Sequence, residues 1–219
     1  MKKTILSIVL LLAILVCVAS CDSFPMFPSA QTTTTETQQT IGGKVEETPK
    51  TVWDILQELS QEQYEKVNLD IQTVTGDIEL NANYILTNSN VSYSVEQLNL
   101  LPSDGDLTNV SSNYKTTISG TATIKNGNVE RFDGEEVNIP TYNELKGAFN
   151  FNESNFKNVK VENGKFTADV AFASNFMGTS KNLSNMKIVV TYNDAALQKL
   201  EMTYNTTNST VTTVYEFTK

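Results

Sequence analysis

The stretch YKTTISGTATIKNGN, residues 114–128, decides the fold. Tyr114, Thr116, Ile118, Ala122 and Ile124 alternate with Lys115, Thr117, Ser119, Thr121 and Thr123. Successive side chains of a strand point to opposite faces, so this pattern belongs to a strand that is apolar on one side and wet on the other. It closes on Asn126-Gly127, a dipeptide that tolerates the positive φ values of a two-residue hairpin turn.

Outward from there the pattern recurs. Ile78, Leu80, Ala82, Tyr84 and Leu86 alternate with Glu79, Asn81, Asn83 and Thr87. Phe166, Ala168, Val170 and Phe172 repeat it, as do Met186, Ile188, Val190 and Tyr192, and then Val211, Thr213, Tyr215 and Phe217. A second Asn-Gly turn is expected at Asn163-Gly164, with further tight turns at Thr75-Gly76-Asp77 and Asn193-Asp194-Ala195. These signals predict a mainly β domain over residues 51–219, an antiparallel meander of about eight to ten strands. One N-terminal amphipathic helix is expected before it, from Thr51 to Lys66. Thr51 and Asp54 form a capping-box start, and Val52, Ile55, Leu56 and Leu59 fall on one face. The sequence has no second long helical period, which argues against a parallel βαβ fold.

Size constrains how such a sheet hides its apolar face. Ten strands at about 4.8 Å spacing are about 48 Å wide, whereas one helix is about 10 Å across. The helix covers about a fifth of the face. The remainder must be hidden by the sheet curling over itself into a half-barrel, by a sandwich, or by a ligand. In element order, residues 51–219 resemble the half-barrel of bacterial lipoprotein-carrier and lipid-carrier proteins. That resemblance implies a strongly curved sheet wrapped round the helix.

The chain's two cysteines, Cys17 and Cys21, lie at its other end, in LVCVASCDS, residues 15–23. Lys2 and Lys3 precede an apolar run from Ile5 to Val16, broken only by Ser7, and small residues follow at Ala19 and Ser20. A charged start, an apolar middle and a small-residue cleavage site make a secretory signal. A transmembrane helix needs about 20 apolar residues, and this run instead ends in small and acidic residues with no basic flank. A metal or disulfide reading needs partners, and there is no other Cys and no His.

Val18-Ala19-Ser20-Cys21 resembles the lipobox of bacterial lipoproteins. That resemblance implies removal of residues 1–20, with Cys17 among them, and a diacylglycerol thioether on Cys21. Each buried methylene contributes about 0.8 kcal/mol, so two or three chains on one cysteine hold a protein firmly to a bilayer. The expected location is the cell envelope, on the outer face of the plasma membrane or the periplasmic side. Asp22 follows the cysteine, and in some double-membrane bacteria an aspartate there retains a lipoprotein at the inner membrane.

Residues 21–50 then read as a lipidated, flexible tether. After Phe24-Pro25-Met26-Phe27-Pro28 come a Thr- and Gln-dominated stretch from Gln31 to Thr40, Gly42-Gly43 and Pro49. The segment has too few aliphatic residues to offset its ordering entropy, and as a coil it spans roughly 30 Å.

Charge and composition exclude several functions. Loss of Lys2 and Lys3 with the signal takes the net charge from −9 to −11. So negative a chain repels phosphate backbones, and Arg131 is its sole arginine, so no nucleic-acid partner is expected. The absence of His removes the usual imidazole base, the Ser-His-Asp triad and His-ligated zinc.

Carboxylates remain. Asp133, Glu135 and Glu136 contain the only pairing that suggests a glycosidase, but neighbours on a strand point to opposite faces, which favours a solvated turn. Ser103 to Asn109 offers oxygen ligands for Ca²⁺ yet lacks the spacing of a calcium loop. No catalytic residue, metal site or cofactor is assigned.

Two stretches could shape an apolar groove. Tyr142 to Phe156 carries Leu145, Phe149 and Phe151, and Ala173 to Met186 carries Phe176, Met177, Gly178 and Leu183. The leading expectation is a membrane-anchored module that binds a lipid or other apolar ligand in a curved-sheet cavity. The alternative is a structural or protein-interaction envelope lipoprotein with a solid core.

Overall fold

The computed structural model describes residues 50–99 and 115–219 of the chain. Cys21, the expected signal, nearly all of the expected tether, Tyr114 and the segment 103–109 lie outside the described residues.

Helix α1 (Val52–Gln61) opens on a reciprocal cap. The Thr51 N–H donates to Asp54 Oδ2 at 2.9 Å, and the Asp54 N–H donates to Thr51 Oγ1 at 3.3 Å. The helix stops at Gln61 rather than continuing to Lys66, because Tyr64 turns inward instead. Its N–H donates to the Tyr142 hydroxyl at 2.6 Å. Its own hydroxyl donates to the Leu59 carbonyl at 2.9 Å and accepts from the Leu197 N–H at 2.8 Å. One buried phenol thus satisfies backbone groups of both the helix and the sheet, where orphaned groups are costly.

Among the described residues, ten strands form one open antiparallel sheet. They are β1 (Lys66–Thr75), β2 (Ile78–Leu86), β3 (Asn90–Asn99), β4 (Lys115–Lys125), β5 (Asn128–Gly134), β6 (Phe156–Glu162), β7 (Lys165–Val170), β8 (Ser184–Tyr192), β9 (Leu197–Asn205) and β10 (Thr210–Thr218). Their spatial order is β5-β4-β3-β2-β1-β10-β9-β8-β7-β6. This differs from the single meander expected from the sequence. Each half is a five-strand meander, and the two meet where the first strand pairs with the last, Leu69 opposite Tyr215 and Ile71 opposite Thr213. The physical reason is the connector 135–155, which carries the chain from one edge of the sheet to the other and holds helix α2 (Tyr142–Leu145) and a 3₁₀ turn (Glu153–Asn155).

The Asn-Gly turns behave as their chemistry requires. Asn126 and Gly127 have φ of 53° and 80°, and Asn163 and Gly164 have 48° and 72°, the two left-handed residues of a type I′ hairpin. Both edge strands are irregular. Register shifts interrupt β4–β5 and β6–β7, and Lys157 and Lys160 lie on the β6 edge, devices that discourage edge-to-edge pairing.

Nearly all the apolar residues of the sheet face one side. Val67, Leu69, Leu80, Tyr84, Val91, Tyr93, Phe166, Ile188, Leu200 and Met202 are all buried there, each contributing about 1.5–3 kcal/mol of transfer free energy. Phe172 departs from the expected stripe. Strand β7 ends at Val170, the Ala171 N–H turns to the Asn155 carbonyl at 2.7 Å, and Phe172 caps helix α3 (Ala173–Met177) with 55 % of its surface exposed.

Candidate functional site

The two stretches read as possible groove walls converge on one aromatic cluster. Phe149 stacks on Phe176 with centroids 5.6 Å apart and meets Tyr215 edge-on at 5.4 Å. Phe151 and Phe156 both meet Phe166 of β7 edge-on, and Trp53 of α1 stacks on Phe156 at 5.4 Å. The connector is held in place by Gln57 of α1, whose Oε1 accepts from the Phe151 N–H at 2.8 Å. Leu145, Met177 and Leu183 pack half-buried against this cluster. These side chains cover the apolar face along β7 and β10 as core.

Nearer one end of the sheet the same face turns polar. On β10, Val211 lies between Tyr204 of β9 and Thr73 of β1, while Thr213 lies between Met202 and Ile71. Thr73 and Tyr204 therefore flank Val211 from the neighbouring strands, and Thr213 follows it two residues on along β10. They are 6 %, 1 % and 2 % exposed; the Thr73 hydroxyl has no hydrogen-bond partner among the described residues, and those of Tyr204 and Thr213 have none there beyond their contact with each other. Burial pushes the Tyr204 phenol up to about 12. A hydrogen-bonding contact with the Thr213 side chain opposes part of that shift. Burial alone pushes Tyr84 of β2 up to about 12.

A neighbouring pair is satisfied in the ordinary way, since the Thr75 and Ser209 hydroxyls are 2.6 Å apart. Lys181 lies in the loop between α3 and β8, its Nζ buried and likewise without a partner among the described residues. That loop enters β8 at Ser184, which pairs with Asn205, the neighbour of Tyr204. Sequence reading placed Thr213 on the apolar stripe but did not single out these four residues. The available signal was a threonine at an inward position between apolar neighbours.

The opposite, polar face bears a shallow groove of about 400 Å³ lined by Asp70, Gln72, Asn81, Asn83 and Glu96, among others. Its side chains largely satisfy one another. Asn83 donates to Asp70 at 2.7 Å, and Gln72 and Asn81 both donate to Glu79, which holds that carboxyl below the usual range. Asp133, Glu135 and Glu136 are exposed at the end of β5, and the Glu135 carbonyl accepts from the Tyr93 hydroxyl. They form an open edge of the sheet rather than a cleft.

No protein-family model matches the chain, and no curated protein is significantly similar to it. Among the described residues no helix is long and apolar enough to cross a membrane.

Proposed function

We propose that this chain is a lipid-anchored extracytoplasmic module that holds a lipid or other apolar molecule. The sheet curves round its apolar face as a half-barrel, and the ligand lies on the part of that face next to Thr73, Tyr204 and Thr213. The observation that carries this reading is the combination of a ten-strand open sheet, apolar on one face, with a helix of only ten residues. Under-satisfied hydroxyls within an otherwise apolar lining add support, because buried polar groups ordinarily find partners.

Anchoring comes from a thioether on Cys21, reached through the tether. Intact mass of the membrane-extracted chain is expected to lack residues 1–20 and carry the added mass of diacylglycerol on Cys21. An unmodified cysteine on the unprocessed chain would refute the anchor. For the ligand, native mass spectrometry of the mature protein after gentle extraction is expected to give a bound species released on activation. Protein that is ligand-free both as isolated and after exposure to membrane lipid would refute the binding role.

A second reading is a solid-cored envelope lipoprotein that acts through protein contacts. The packing of Phe149, Phe151, Phe156, Phe166 and Phe176 favours it. In-cell crosslinking that captures a defined envelope protein, from a chain that carries no ligand, is the outcome it requires.

A further inference from the structure

We infer that the groove on the polar face of the sheet is a binding site for a linear alkyl polyamine, held by ammonium groups on Asp70 and Glu96. This stands apart from the apolar-ligand reading, which concerns the opposite face of the sheet.

The groove, of about 400 Å³, crosses adjacent strands, with Glu96 from β3, Asn81 and Asn83 from β2, and Asp70 and Gln72 from β1. That volume falls in the range of small-molecule sites. Alternation puts these side chains on the wet face, since Asn83 pairs with Asp70, and Asn81 lies between Glu96 and Gln72.

The hydrogen bonds inside the groove leave an acceptor surface. Asn83 donates to Asp70 Oδ1 at 2.7 Å, and Gln72 and Asn81 donate to Glu79 Oε1 at 2.8 and 2.9 Å. Each amide thus spends one of its two N–H groups and keeps a carbonyl oxygen with two lone pairs. With Asp70 Oδ2 and Glu96 Oε1 added, acceptor positions outnumber donors. The charged residues of the lining are both acids, Asp70 and Glu96. Lys115 of the neighbouring β4 already sets one ammonium on Glu96 Oε2, so the chemistry of the contact is present in the fold. An ammonium brings donors and the opposite charge, and carries no acceptor. A neutral polyol carries acceptors along with its donors and gains nothing from the charge.

Spacing selects the polyamine. Asp70 and Glu96 stand two strands and two residues apart by register. At about 4.8 Å per strand and about 3.4 Å per residue they are about 12 Å apart. One ammonium cannot touch both carboxylates, whereas two joined by an extended alkyl chain can, with the methylenes passing over Asn81 and Asn83.

The test is calorimetric titration of the full chain, in detergent at low salt, with spermidine, butylamine and 1,8-octanediol. Spermidine is expected to bind at least tenfold more tightly than butylamine, and the diol not at all. Asp70→Asn and Glu96→Gln should each weaken spermidine at least fivefold. Lys115→Gln, which frees Glu96 from its internal partner, should tighten it, a gain that a misfolded variant cannot imitate. The double change Asp133→Asn/Glu136→Gln removes equal charge from the exposed edge at β5 and should leave the affinity unchanged. Absence of spermidine binding overturns the site. So does an equal loss from the groove and edge substitutions, which marks diffuse attraction to a chain of net charge −9. Binding of the diol as tight as that of spermidine overturns it as well. None of these outcomes touches the apolar-ligand reading.

Discussion

Ile71 on β1 and Thr213 on β10 face each other across the seam where the first strand meets the last, both almost fully buried. The two residues are expected to respond to truncation with opposite signs. Ile71→Ala removes packed methyls at the centre of the sheet and should destabilise by about 2–5 kcal/mol. Thr213→Val exchanges for a methyl a hydroxyl whose one hydrogen-bonding contact among the described residues is Tyr204, and should stabilise the ligand-free protein by about 1 kcal/mol. Urea denaturation of the two variants checks this, and a destabilised Thr213→Val protein would mean that the contact with Tyr204 is a full hydrogen bond.

Tyr64 ties helix α1 to β9 through one oxygen, which bonds Leu59 and Leu197 at 2.9 and 2.8 Å. Tyr64→Phe strands a buried N–H and a buried carbonyl and should cost about 1–3 kcal/mol with little change in packing. Equilibrium unfolding gives the loss, and hydrogen exchange at the Leu197 amide should accelerate more than at amides of β3.

Gly120 faces Tyr93 across β3–β4, and a Cβ there would fall inside contact distance of the Tyr93 hydroxyl and 2.7 Å from the Asp133 carbonyl. Gly120→Ala should therefore lower Tm by several degrees, as overpacking costs about 1–3 kcal/mol. Adding Tyr93→Phe should restore part of that loss by removing the clashing oxygen. The double-mutant cycle measures the coupling, and strictly additive effects would show that Tyr93 is not what fills the space.

Alkaline stability follows from the buried phenols. Tyr84 and Tyr204 are raised from 10.0 to about 12 by burial, so the folded state holds protons that the unfolded chain releases. Their stabilisation is complete below pH 10 and is lost as pH rises from there toward about 12. Unfolding free energy measured across that window should fall, and it should fall less steeply in Tyr84→Phe. Phenolate absorbance should report these two tyrosines late, together with loss of the fold.

Much of the architecture is written locally. The alternation in β2, β4, β8 and β10 and the Asn-Gly turns at 126–127 and 163–164 depend on side-chain period and backbone sterics within a few residues. The Thr51–Asp54 cap is equally local. Pairing of β1 with β10 has no such signal, because Ile71 and Thr213 are brought together only by the tertiary fold and each strand would look the same at an edge. Helix α1 ends early for a similar reason. Glu62 to Lys66 carry no strong helix breaker, and what stops the helix is Tyr64 finding Tyr142 and Leu197 far along the chain. Of the candidate site, residue types were legible. Which hydroxyls go unpaired depends on their neighbours on adjacent strands, and alternation alone cannot reveal that.

The β1–β10 seam gives residues 210–218 a weight out of proportion to their number. A chain emerging N-terminus first can zip β1 to β5 early, yet the middle of the sheet stays open until the last strand arrives. A premature stop that removes Thr210–Thr218 would delete a central strand rather than trim a border, and would bare two long, sticky flanks at once. Closure of the sheet therefore waits on residues 210–218, whatever the other nine strands have already formed.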